Sequence, residues 1–187
     1  IPALPTQKLG KLITLNCANN YIEELYGNHL KELRYLDCST NMLTELILDQ
    51  TVVEEVDCSN NKLSVFKLPN STDMLERFSA NNCFGGDVNF KLDFTKYSKL
   101  RELSLADNAG LTELKIPTHQ VFESVVARNC NLQGTFAFSP GLRSTDIYPL
   151  IETIDMSNNP NLKVVVNSPY FGLNYVKEMN FTGCDVI

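Results

Sequence analysis

Apolar residues recur in this chain as a short alternation nested in a longer period. Leu33-Arg34-Tyr35-Leu36-Asp37-Cys38-Ser39 alternates through its second half, the rhythm of a strand with one buried face. Val53-Glu54-Glu55-Val56-Asp57-Cys58-Ser59 repeats it one period later. Each run closes on an asparagine, Asn41 or Asn61, and then a second apolar set follows: Leu43, Leu46, Leu48 or Leu63, Phe66, Leu68. The frame also fits Leu12, Leu15, Cys17, Asn20, Ile22, Leu25 upstream. Downstream it fits Leu75, Phe78, Ala80, Cys83, then Leu100, Leu103, Leu105, Asn108, Leu111, Leu114, then Phe122, Val125, Ala127, Cys130, Leu132. Two further copies are Ile151, Ile154, Met156, Asn159, Leu162, Val165 and Val176, Met179, Phe181, Cys184, Val186. The fifth and seventh copies carry one extra residue after the asparagine.

A unit of this size cannot bury its apolar side alone, whereas stacked units share a continuous core. The pattern L-x-x-L-x-L-x-x-N-x-L resembles the leucine-rich repeat. The expected fold is a leucine-rich repeat solenoid, a curved right-handed superhelix with a parallel β-sheet on its concave face. The return segments are too short for proper helices, so short extended or single-turn segments and very little helix are expected on the convex face. Val88, Phe90, Leu92 and Phe94 alternate as one such segment. The widest spacing, between Cys130 and Asn159, holds SPGLRSTDIYPL, a loop with room for one helical turn at most. Residues 1–9 read as a lead-in or cap and 10–187 as about eight repeats of a single domain. The last copy ends its strand at Phe181, turns at Cys184 and stops at Ile187 without a return segment. An exposed edge is therefore expected there, open to self-association or to a further domain.

The six cysteines map onto repeat positions. Cys17, Cys38 and Cys58 fall in one inward column, and Cys83, Cys130 and Cys184 stand where other copies have asparagine. Free, buried thiols acting as small hydrophobes are expected. Without a C-x-x-C pair a metal site is not expected, and no cofactor is implied. His29 and His119 both precede strands and face away from the concave surface, so no catalytic constellation forms and no enzyme is expected. The triplets Asn70-Ser71-Thr72 and Asn180-Phe181-Thr182 match the N-x-S/T pattern, which arises often by chance. The formal net charge of -6 argues against a nucleic-acid or anionic-membrane surface, and no apolar run is long enough for a membrane helix. No signal peptide is visible; a start at Ile1 suggests a processed or trimmed chain.

The run LDCSTNMLTEL resembles bacterial surface leucine-rich repeats, the internalin-like and Bacteroidetes short-repeat proteins whose units read L-D-C-S-x-N. The resemblance rests on Cys17, Cys38 and Cys58; copies four and six depart from it, with Ala80 and Ala127 in the cysteine position. It implies an exported or cell-surface binding protein, not an enzyme.

Chemistry is left to the outward residues of the concave strands, which are small and polar. Two readings follow: recognition of a protein or carbohydrate ligand through this face, or a rigid structural spacer or assembly segment with no ligand of its own. In the column Tyr35, Glu55, Arg77, Glu102, the arginine is expected between two glutamates, and the rim Arg34, Glu54, Glu76, Arg101, Glu123 is largely self-compensating. Asp37 and Asp57 are adjacent without a cation in their column, and Tyr35 is the one aromatic beside them. The expected ligand contacts are Tyr35, Asp37, Glu55 and Asp57, with Arg77 alongside.

Overall fold

The computed structural model describes residues 3–117, 122–137, 151–165 and 176–187. Sixteen short strands lie among these residues and alternate between two sides. The odd ones are β1 (Thr14–Asn16), β3 (Tyr35–Asp37), β5 (Glu55–Asp57), β7 (Arg77–Ser79), β9 (Glu102–Ser104), β11 (Phe122–Val126), β13 (Ile151–Asp155) and β15 (Glu178–Asn180). They form one eight-stranded parallel sheet in that order. Each copy of the repeat aligns with the next without slippage, Leu15 opposite Leu36 and Leu36 opposite Val56, through to Ile154 opposite Met179. The alternation dictates that register, because a one-residue slip would turn every apolar side chain to solvent.

The even strands are β2 (Glu24–Leu25), β4 (Glu45–Ile47), β6 (Val65–Lys67), β8 (Phe90–Asp93), β10 (Leu111–Lys115), β12 (Gly134–Ala137), β14 (Leu162–Val165) and β16 (Asp185–Val186). They build three smaller parallel sheets on the convex side, β2-β4-β6, β8-β10 and β12-β14-β16. The expected extended return segments are all present as strands. Helical structure among the described residues is limited to two single 3-10 turns, Thr6–Lys8 and Gly27–His29.

Three details differ from the sequence reading. β10 carries a bulge, its register with β8 shifting between Leu111 and Glu113 with Thr112 buried. In the seventh copy the core position is Val164, fully buried, while Val165 is half-buried, because β14 runs straight against β12 with Phe136 opposite Val164. The last copy does begin a return: Gly183, at φ +77°, turns the chain at once and Asp185–Val186 pairs with Lys163–Val164. The SPGLRSTDIYPL segment and His119 lie outside the described residues.

Turn chemistry explains the spacing between the two sides. The residue before each Asn or Cys turn position adopts left-handed backbone: Asn19, Thr40, Asn60, Asn82, Asp107, Asn129 and Asn158 all have φ between 51° and 62°. Asparagine and aspartate tolerate that region best among non-glycine residues. The turn asparagines then stitch neighbouring copies together. Asn41 Nδ2 donates to the carbonyls of Cys17 and Cys38, and its Oδ1 accepts the Ile22 amide of the preceding copy. Asn61 repeats this with Cys38, Cys58 and Leu43, and Asn159 with Ala127, Met156 and Leu132. Asn108 donates to Ala80 and Leu105 and accepts from both Cys83 and Phe84.

A cysteine at the turn keeps half of this. The thiols of Cys83, Cys130 and Cys184 still donate back, to the carbonyls of Cys58, Leu105 and Met156. A thiol has no oxygen to receive the amide of the preceding return segment, and at Cys83 the Leu63 amide goes to the backbone carbonyl instead, at 3.0 Å. The convex sheets divide at two of these three seams, between β6 and β8 and between β10 and β12, and at none of the asparagine seams.

The core is one cluster along the axis, flanked on one side by each sheet. It widens in the fourth copy, where Phe66, Phe78, Phe84, Phe90, Phe94 and Tyr97 pack ring against ring with centroids 4.4–5.8 Å apart. Tyr97 donates its hydroxyl to the buried Pro69 carbonyl at 2.6 Å, which satisfies the polar end of an otherwise apolar ring.

Candidate functional site

The eight-stranded sheet presents two outward columns. In the first, Thr14, Tyr35, Glu55, Arg77, Glu102 and Ser124 stand opposite one another across successive strands. Arg77 bridges its neighbours as the sequence led us to expect: Nη1 lies 2.6 Å from Glu55 Oε1 and Nε 2.8 Å from Glu102 Oε1. The hydrogen bond from Arg77 holds the Glu102 carboxyl below its ordinary range, and Glu102 in turn raises the arginine. On the rim, Arg34 pairs with Glu54, and Arg101 spans Glu76 at 3.3 Å and Glu123 at 2.6 Å. Such exposed pairs contribute about 1 kcal/mol or less each, and they fix side chains more than they stabilise the fold.

Tyr35 belongs to both networks. Its hydroxyl donates to Glu54 Oε2 at 2.8 Å, a bond that lowers the Glu54 carboxyl and raises the phenol. Because Arg34 grips the other oxygen of Glu54, the ring is tethered at the rim while remaining 39% exposed.

The second column is Asn16, Asp37, Asp57, Ser79, Ser104, Val126, Asp155 and Asn180. Asp37 and Asp57 are direct neighbours, as expected. Each also has a structural task that the sequence reading missed. Asp37 Oδ1 accepts the Ser39 amide at 3.1 Å and its hydroxyl at 2.7 Å, and Asp57 Oδ1 accepts the Ser59 amide at 2.9 Å. Asp155 does the same for Ser157. These are Asx turns that close the strand ends, and the recurrence of Asp-x-Ser in three copies was the available signal. Only one oxygen of each carboxylate is needed for the turn. Asp37 Oδ2 receives a long 3.3 Å contact from Asn16 Nδ2, whereas Asp155 Oδ2 has Arg128 at 3.7 Å.

Together these side chains line a shallow groove of about 460 Å³ that crosses β3, β5, β7, β9 and β11. Tyr35, Glu55, Asp57 and Arg77 border it; Asp37 lies one column over, beside Asp57. Ile13, on the rim next to Arg34, is also exposed, and the sequence reading did not single it out. His29 sits in a 3-10 turn away from this face.

Among the described residues no cysteine is bridged to another. Five of the six are buried and Cys184 is half-buried, a departure from the expectation that all six are buried. Burial pushes the Cys17 and Cys130 thiols up to about 11 and raises Cys38 strongly. For Cys58 the neighbouring Cys83 and burial act in the same direction. A thiol titration of the native protein should therefore register Cys184 alone at pH 8, and all six after denaturation without reductant. Two missing equivalents in the denatured sample would reveal a disulfide.

Among the described residues, no group of three or more His, Cys, Asp or Glu is placed to hold a metal, and no helix is long and apolar enough to cross a membrane. No family model matches the chain. It is similar to Tsukushi of Gallus gallus, a leucine-rich repeat protein, at 24% identity over 94% of this chain. The aligned region is 55% of that relative, so the chain spans about half its length. The fold is a leucine-rich repeat solenoid. Solenoid and relative together suggest a non-enzymatic protein that serves as an interaction module.

Proposed function

We propose that the chain is a recognition module that binds a protein or glycan through its concave face, within an exported or cell-surface bacterial protein. Tyr35, Asp37, Glu55, Asp57 and Arg77 make the contacts. The observation that carries this reading is the groove of about 460 Å³, whose border draws Tyr35, Glu55, Asp57 and Arg77 from three successive strands. An extended concave surface is what a solenoid offers to a partner. The tethered ring of Tyr35 supplies apolar area at little further entropic cost on binding. The surface assignment draws its support from the L-D-C-S-x-N runs at Cys38 and Cys58.

Peptide and glycan arrays probed with the wild type and with Tyr35→Ala/Arg77→Ala test this. Hits on either array that the double variant loses are expected. Hits of equal strength for both proteins would move the binding surface elsewhere. A spacer with no ligand is the competing reading, favoured by the closed ion-pair chain of the rim from Glu76 through Arg101 to Glu123. Blank arrays for the wild type would decide for it.

A further inference from the structure

We propose that the N-terminal half of the concave face docks a cationic polypeptide segment, one that presents arginine or lysine beside an apolar side chain. The inference rests on the concave face being the binding surface and names the class of partner. The two outward columns hold six carboxylates, Asp37, Glu55, Asp57, Glu102, Asp155 and Glu178, against the guanidinium of Arg77, with Arg128 just beyond the end of β11. The face is therefore acidic as a whole, and it repels anionic partners.

Charge is not evenly answered along it. Arg77 is spent on Glu55 and Glu102, and Arg128 leans on Asp155. No lysine or arginine among the described residues comes within ion-pair distance of Asp37 or Asp57, whose partners are the neutral groups of Asn16, Ser39 and Ser59. With one oxygen of each committed to its turn, the carboxylates are held in place before any partner arrives. A guanidinium or ammonium can then reach both, since parallel neighbours stand about 4.8 Å apart.

The apolar half of the recognition lies at the same end. Of the exposed large hydrophobic residues, the two on the concave face and its rim are Ile13 and Tyr35, at 50% and 39% exposure. Tyr35 shares β3 with Asp37, and Ile13 stands at the rim just before β1, opposite Arg34; both belong to the end of the sheet that carries the uncompensated aspartates, far in strand order from Asp155 on β13. A neutral sugar would gain from the ring but not from the paired charges. A cation followed by an aliphatic or aromatic side chain uses both. Such a contact is worth more than the charge alone, because the apolar side chain excludes water from the ion pair.

The probes are three labelled peptides, alternating arginine–leucine, arginine–glycine and glutamate–leucine, together with maltohexaose, read by fluorescence polarisation and calorimetry on the full chain. The arginine–leucine peptide is expected to bind, the glutamate–leucine peptide to fail, and arginine–glycine to be weaker. Asp37→Asn/Asp57→Asn keeps the oxygen that each turn needs and so spares the fold. It should weaken the arginine–leucine peptide at least about tenfold, while Asp155→Asn changes it by less than about twofold. Equal binding of the two arginine peptides, or equal effects of the two aspartate changes, would reduce the interaction to unspecific charge and overturn the proposal. No binding of the arginine–leucine peptide at low salt would overturn it as well. If maltohexaose binds instead and Tyr35→Ala abolishes that, the concave-face reading stands and only the partner class is wrong. If arrays and peptides are all blank, the recognition reading falls with it.

Discussion

Replacing Asn108 by alanine is expected to cost about 3–5 kcal/mol, seen as a fall in the denaturation midpoint by circular dichroism or fluorescence. The side chain is fully buried and serves four backbone groups drawn from two copies: the carbonyls of Ala80 and Leu105 and the amides of Cys83 and Phe84. Alanine leaves the Ala80 carbonyl and the Cys83 and Phe84 amides without this partner in a place water does not reach, while the Leu105 carbonyl keeps the Cys130 thiol; each orphaned group costs about 1–3 kcal/mol before relaxation. Asn108→Cys should fall between, since a thiol in the same position elsewhere still donates backwards but accepts nothing from the amides. Asn20 provides the contrast. It occupies the same place in the first copy but is exposed, bonding the carbonyls of Cys17 and Ala18 with solvent at hand. Asn20→Ala should cost less than about 1 kcal/mol. Equal losses at the two sites would mean that the buried amide is not what holds the turn.

Gly110→Ala is expected to destabilise by about 3 kcal/mol or more, through a mechanism unrelated to hydrogen-bond loss. A methyl group there would stand 2.6 Å from the Val88 carbonyl oxygen and closer still to that of Gly85. Both obstacles are backbone, and they cannot swing aside as a side chain end could. Gly110 is moreover clamped between copies, its amide donating to Phe84 and its carbonyl accepting from Phe90. Gly86→Ala is the matched control: the nearest atom, the β-carbon of Ala109, is at ordinary contact distance, 3.6 Å. That change should stay within about 0.5 kcal/mol. A benign Gly110→Ala would show that the loop from Gly85 to Val88 is free to move outward.

Much of the architecture was legible because the apolar residues carry it twice, once in the alternation that builds each strand and once in the period that stacks them. The inward column Leu36, Val56, Phe78 and Leu103 lines up across the sheet as the alignment of the repeats requires. Convex strands were legible as extended segments but not their grouping, which breaks at Cys83 and Cys130 yet holds at Cys184. The bulge at Thr112 was not legible, because the extra residue after the asparagine occurs in the seventh copy as well and β14 pairs with β12 without a shift. On the concave face, the position of Arg77 between two glutamates followed from register alone. The turn role of Asp37 and Asp57 did not, as an aspartate in a column looks the same whether it faces solvent or caps the amide two residues on. The tether from Tyr35 to Glu54 was hidden for a similar reason: it joins two columns that the repeat alignment keeps separate.

The seams at Cys83 and Cys130 give the solenoid an uneven compliance. Along the concave side the hydrogen-bonded sheet runs unbroken through all eight strands, so it resists stretching like the continuous leaf of a spring. On the convex side the strand pairing stops at two cuts: between β6 and β8, where the Leu63 amide still reaches the Cys83 carbonyl, and between β10 and β12, where only the Asn131 and Gln133 amides reach the Leu111 and Thr112 carbonyls. Bending is easiest where the fewest bonds must lengthen, so changes of curvature concentrate at these two cuts. Tyr35, Asp37, Glu55 and Asp57 all belong to the block before the first cut, while Arg77 and Glu102 lie beyond it. A flexure at the first cut therefore loads the Glu55–Arg77 bridge, the ion pair that crosses it. The repeats ahead of that cut are bonded to one another through both sheets, and they carry the paired aspartates on the unbroken one.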